Sequence, residues 1–210
     1  MSESISAMST VHSNATNPFS ATRIRPGTID FIFEHGKTLT QLVDQLESNQ
    51  WNGAITGLHG TGKSTLLAAM IPAIEARGRI VKCVTLSAGQ RTLPRDYLGS
   101  LRETAGQGVA AVDGIEQLSA WSRLRLNRNC KAQHAGLLVA SHRAARLPVI
   151  YQTAIDVPRA WRVVERFQDG FPPLVRLSDL VERLAQRHGN VREALFDLYD
   201  IYEVRRRSGS

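Results

Sequence analysis

Gly57-Leu58-His59-Gly60-Thr61-Gly62-Lys63-Ser64-Thr65 satisfies the spacing G-x-x-x-x-G-K-[ST]. Gly57, Gly60 and Gly62 let the backbone turn tightly and bring its N–H groups against phosphate oxygens, where a side chain would block the approach. Apolar Ala54-Ile55 precedes the loop, and the helix-forming run Leu66-Leu67-Ala68-Ala69-Met70 follows it. The spacing therefore predicts a loop joining a strand to a helix that begins at Lys63, whose N-terminus adds the positive end of its dipole. In such a loop Lys63 reaches the β and γ phosphates of a nucleotide. Ser64 is positioned to ligate Mg²⁺, and Thr61 and Thr65 complete the cradle.

Working outward, Leu39, Leu42, Val43 and Leu46 recur at i, i+3, i+4, i+7 and predict an amphipathic helix over 38–49. The helix after the loop is expected over 63–77, with Gly78 as its stop and Pro72 kinking it or ending it early. Strands are expected at 79–86, 109–112, 137–140 and 149–151, with a helix over 115–128. Strands alternating with helices imply a parallel sheet covered on both faces. After Ile155 the strand pattern stops, and 158–168, 178–188 and 191–205 read as three helices. The organisation expected is a polar tail (1–22) disordered in its first half, with order beginning near Asn17-Pro18-Phe19 or at Arg25-Pro26-Gly27, then a nucleotide-binding core (23–156), a small helical lid (157–205) and a short tail (206–210).

Val109-Ala110-Ala111-Val112-Asp113 is an apolar strand ending in a carboxylate, the arrangement needed to hold a magnesium shell beside the phosphate loop. Gly114 follows, where many ATPases have a glutamate that orients the attacking water. The next acid, Glu116, is either the displaced catalytic base or an N-terminal helix residue favoured by the dipole. The strand after it ends at Ser141-His142. This succession resembles the additional-strand branch of P-loop ATPases. The resemblance implies an α/β three-layer sandwich, a mainly parallel five-stranded sheet ordered 5-1-4-3-2, and a sensor of the γ phosphate at Ser141 or His142. His188-Gly189-Asn190-Val191-Arg192-Glu193-Ala194-Leu195 resembles the G-N-V-R-E signature of bacterial AAA-type ATPases, in which the arginine of a lid helix touches the γ phosphate; that assigns Arg192. Helix needs alone account for its neighbours, since Gly189 ends one helix, Asn190 caps the next and Glu193 completes a capping-box-like pair.

By this resemblance the ligands are ATP and Mg²⁺, the metal residues are Ser64 and Asp113, and the activity is ATP hydrolysis in a switch, motor or regulatory module. The missing adjacent glutamate leaves the rate open. Arg143 and Arg146, between the fourth and fifth strands, fall where AAA-type oligomers place an arginine finger for a neighbour's site. The alternative is a nucleotide or small-molecule kinase, although its lid arginines would fall between core strands. Asp113-Gly114-Ile115-Glu116 breaks the GTPase pattern D-x-x-G, and no segment matches N-K-x-D.

The chain has 210 residues, 26 basic against 19 acidic, for a net charge of +7. Between Ala120 and Arg162 stand eight basic residues and one acid, Asp156, so this stretch carries the whole formal excess. Arg123, Arg125 and Arg128 lie on the helix after Asp113 and suit nucleic-acid phosphates. Trp121 beside them is either a stacking surface or a core residue. Cys83 and Cys130 form neither a metal pattern nor a disulfide framework. No apolar run nears the ~20 residues that cross a bilayer, and no targeting segment is evident, so a cytoplasmic protein without membrane contact is expected.

Overall fold

The computed structural model describes residues 17–28, 30–33 and 36–209. Five strands, β1 (Asn52–Gly57), β2 (Ile80–Thr85), β3 (Gly108–Asp113), β4 (Gly136–Ser141) and β5 (Val149–Thr153), form one sheet in the order β2-β3-β4-β1-β5. Every pairing is parallel. This is the 5-1-4-3-2 order that the family resemblance implies. The central strands β3 and β4 are apolar runs buried on both faces, as a helix-covered parallel sheet requires.

Their alternate side chains divide the core into two layers. Val109, Ala111, Leu138 and Ala140 face helices α1 (Leu39–Ser48) and α2 (Lys63–Glu75), meeting Leu42, Leu46, Leu66 and Met70. Ala110, Val112, Leu137 and Val139 face α3 (Tyr97–Arg102) and α4 (Ala120–Ala132), meeting Tyr97, Leu101 and Leu126. A third cluster is the lid, made by α5 (Val157–Gln168), α6 (Leu177–Gln186) and α7 (Val191–Ser208) around Val164, Phe167, Leu180 and Leu198.

Several expectations change. Helix α2 runs through Pro72 and ends at Glu75, because a proline in the last turn costs a single hydrogen bond. The helix expected over 115–128 is two elements, a 3-10 turn at Ile115–Gln117 and then α4, which restarts where the Ser119 hydroxyl accepts the Ser122 N–H at 3.2 Å. Helix α3 was not anticipated, being too short to show a period. Helix α7 continues to Ser208, past the boundary expected at 205. The segment from Asn17 to Ile24 is part of the fold: Phe19 is fully buried in the lid cluster, and Asn17 Nδ2 donates to the Tyr199 carbonyl at 3.0 Å. The disorder expected for the first sixteen residues lies outside the described residues. No described helix is long and apolar enough to cross a membrane.

Candidate functional site

A cleft of about 430 Å³ opens at the C-terminal ends of β1, β3 and β4, between the core and the lid. One side is the phosphate loop from His59 to Thr65; the floor carries Asp113, Glu116 and His142; the lid contributes Arg159, Phe167, Arg192 and Leu195. The segment before α1 supplies Ile24, Pro26 and Phe31, an apolar wall away from the charged floor.

Close contacts account for the glycines of the loop. A Cβ on Gly57 would lie 2.5 Å from the Thr153 carbonyl oxygen, so β5 can pack there only against glycine. Gly62 has φ +94° and starts α2 with no side-chain cap, leaving the first amides of the helix facing the cleft. The Thr61 hydroxyl donates to the Leu58 carbonyl at 2.8 Å and lies 2.6 Å from Thr153 Oγ1, so it braces the loop from within.

Lys63 is buried, and its ammonium group folds back to donate to the carbonyls of Gly57 at 2.9 Å and Leu58 at 2.6 Å. Burial pushes its pKa down, against the upward pull of Glu116 and Asp113. Asp113 is hydrogen-bonded to Ser64. Burial pushes its pKa up, and the Ser64 bond and the Lys63 charge oppose that. The loop residues and the strand-end carboxylate expected from the sequence thus meet in one place.

Gly114 adopts φ +79°, and a Cβ there would approach the Leu86 carbonyl to 3.0 Å. A left-handed turn at this point suits glycine and leads into the 3-10 turn from which Glu116 also lines the cleft. Glu116 Oε1 lies 3.5 Å from His142 Nε2. Of the two sensor candidates, only His142 lines the cleft; Ser141 is buried, and its hydroxyl donates to the Arg143 carbonyl. In this structure the local turn engages the Ser141 hydroxyl, and His142 is the candidate that faces the cleft.

Asn190 caps α7, accepting the Glu193 N–H at 3.3 Å, and Arg192 is exposed to the cleft with its guanidinium 5.8 Å from the Phe196 ring. The cap uses Asn190, and Arg192 lines the cleft. Arg143 and Arg146 are exposed on the loop after β4, outside the cleft of their own chain. Trp121 is 71% exposed and not a core residue. It shares a groove between α3 and α4 with Arg102, Arg125 and Arg128, while Arg123 is exposed on the same helix.

Among the cleft residues not assigned from sequence are His59, Phe31 and Arg159. His59 occupies a variable position of the loop, so the motif spacing is silent about it. Phe31 lies against Gly62, with its ring 3.2 Å from where a Cβ would stand. Arg159 follows Asp156, the N-cap of α5, and donates to the Ala154 carbonyl at 2.8 Å. The D-x-x-R spacing was the one available signal.

No known sequence family matches the chain, and no curated protein matches it either. Solved structures do. The chain resembles AMPPCP-bound DnaA from Aquifex aeolicus, with 15% identity and a TM-score of 0.54, covering 84% of this chain and 67% of that one. It resembles the replication initiator DnaA bound to AMPPCP and single-stranded DNA, with 15% identity, a TM-score of 0.52 and coverage of 82% and 63%. It also resembles the Saccharomyces cerevisiae Hsp104-ADP complex, with 14% identity, a TM-score of 0.54 and coverage of 89% and 32%. The chain therefore spans about two thirds of the DnaA structures and about a third of Hsp104. The parallel sheet, its strand order, the glycine-rich loop and these likenesses agree that the chain has the AAA-type P-loop NTPase fold.

Proposed function

We propose that the protein is an ATP-binding, Mg²⁺-dependent P-loop ATPase of AAA type, working as a switch, motor or regulatory module. The observation that carries this reading is the convergence on one cleft of Lys63, the Ser64–Asp113 pair, Glu116 and the lid residue Arg192. The metal ion would be held by Ser64 and Asp113 and would offset phosphate charge. Lys63 exchanges the Gly57 and Leu58 carbonyls for phosphate oxygens. Glu116 takes the proton of the attacking water, and Arg192 supplies positive charge where the γ phosphoryl oxygens gain negative charge. The DnaA structures with AMPPCP and Hsp104 with ADP support a nucleotide ligand. The full chain should bind ATP in preference to GTP and release inorganic phosphate, and Lys63→Ala should abolish binding; binding retained in that variant overturns the reading. Phosphate appearing on an added nucleoside or nucleotide instead of in water would favour the kinase alternative.

A nucleic-acid partner forms a second part of the proposal, carried by the exposed indole of Trp121 beside Arg125 and Arg128, one and two turns further along α4. One of the DnaA structures contains single-stranded DNA. Stacking on Trp121 should contribute about 1 to 3 kcal/mol per base. Trp121→Ala should therefore weaken binding of a fluorescent single-stranded oligonucleotide, and Arg125→Ala should flatten its salt dependence. Salt-independent binding would leave this face as an assembly surface. In a homo-oligomer Arg143 or Arg146 would reach a neighbour's nucleotide, a proposal that mass measurement with and without an ATP analogue tests.

A further inference from the structure

The cleft holds two imidazoles that the scheme above does not use. His59, at the tip of the phosphate loop, and His142, at the end of β4, have ring centroids 3.9 Å apart and planes inclined at 64°. His142 Nε2 is sealed from solvent with no hydrogen-bond partner among the described residues, and it lies 3.5 Å from Glu116 Oε1. A buried ring nitrogen left unsatisfied beside a carboxylate is costly in the resting protein. One proton shared between the pair lowers that cost, since either group can then donate to the other.

We infer that His142 receives the proton that Glu116 takes from the attacking water, and that His59 is the positioning residue holding the His142 ring in line for it. The inference rests on the reading of this cleft as an ATPase site. In the step, the water oxygen bonds to the γ phosphorus while the bond from that phosphorus to the β,γ-bridging oxygen breaks, its electron pair leaving with ADP. The water proton passes to Glu116 and on to His142 Nε2, which releases it to solvent before the next turnover. The groups facing His142 are His59 on the loop after β1, Lys63 on α2 and Glu116 on the 3-10 turn. Burial, and after it the nearby Lys63 ammonium and His59, disfavours a lasting imidazolium and drives that release. Gly114 sets the carboxylate on a short 3-10 turn instead of at the strand end, and there Glu116 meets His142.

The test is steady-state ATP hydrolysis by the full chain over a pH range spanning neutrality, with ATP affinity measured separately. His142→Asn should lower kcat by about a hundredfold, the lower end of general-base effects, and remove the acid limb of the pH profile. His59→Ala should lower kcat about tenfold with KM unchanged, and His59→Phe, which keeps a ring in contact, should restore most of it. In a Glu116→Gln background His59→Ala should cost nothing further, since the two act through one step. Wild-type kcat and pH profile in His59→Ala and His142→Asn, a change confined to KM, or equal losses in both backgrounds would overturn the inference. A wild-type protein that binds ATP without hydrolysing it sinks the ATPase reading and this inference together. Turnover insensitive to His59 and His142 sinks this inference alone.

Discussion

Gly60 of the phosphate loop and Asn190 of the lid occupy each other's space: a Cβ on Gly60 would collide with the Asn190 side-chain amide and stand 3.1 Å from the Val191 amide nitrogen. Asn190 is at the same time the N-cap of α7, so the lid helix starts directly over the loop that cradles phosphate. Arg192 follows within the first turn. The contact sets the start of the lid helix against the loop, and Arg192 and the loop line one cleft.

Replacing Gly60 with alanine should therefore separate lid from loop. Its φ of +73° already disfavours any side chain, and the Asn190 contact adds a steric conflict. ATP affinity should fall at least tenfold, with the secondary structure of the core unchanged. Isothermal titration with ATP and circular dichroism on the same sample check this. Unchanged affinity would mean that the lid does not need to rest on the loop.

Asp113 pits binding against stability. Its pKa is raised by burial, and a raised carboxyl pKa favours the fold only in the protonated form. That contribution is complete below the unfolded pKa and lost as pH rises through the folded one. At neutral pH the ionised carboxylate therefore burdens the ligand-free fold. Asp113→Asn should raise the Tm in the presence of chelator at neutral pH, with the gain shrinking in acid, while Mg²⁺-dependent hydrolysis is lost. A lower Tm at neutral pH would refute the stability half of this expectation.

Asp179 behaves in the opposite sense. The Arg205 guanidinium grips it with contacts of 2.5 and 2.8 Å and, helped by the Arg176 N–H, holds its carboxyl below the usual range. A depressed carboxyl pKa stabilises the fold above the unfolded pKa, and the benefit disappears as pH falls through the folded value. The lid should thus loosen in acid, below the ordinary carboxylate range. Asp179→Asn should cost about 1 to 3 kcal/mol at neutral pH and flatten the acid side of the stability profile. Urea unfolding followed at several pH values reads both effects.

The phosphate loop and the strand that ends at Asp113 were legible in the sequence because each rests on local chemistry, whereas the order of the sheet came only from the family resemblance. Glycine spacing reports backbone turns, and an apolar run ending in one acid reports a buried strand emerging at a site. The break between Ile115–Gln117 and α4 was not legible, since the apolar pattern runs through it and only the Ser119 cap marks the restart. For Phe19 the sequence offered a start of order near Asn17-Pro18-Phe19, but not its burial. A lone aromatic in a polar segment has no period, and its burial depends on Phe167 and Tyr202, distant in the chain. The same limit applies to His59, whose partner His142 arrives from another strand.

By itself, then, the sequence determined the fold class, the phosphate-binding loop and a pair of magnesium-binding candidates, because their signals lie within a few consecutive residues. Only the tertiary structure placed His142 and not Ser141 in the cleft, brought Glu116 into it by way of Gly114, exposed Trp121 and set Asn190 on Gly60. Each of those outcomes depends on which surfaces meet once strands and helices pack. Spacing along one chain does not encode such meetings, since long-range contacts are selected by the packing of both core layers and the lid together.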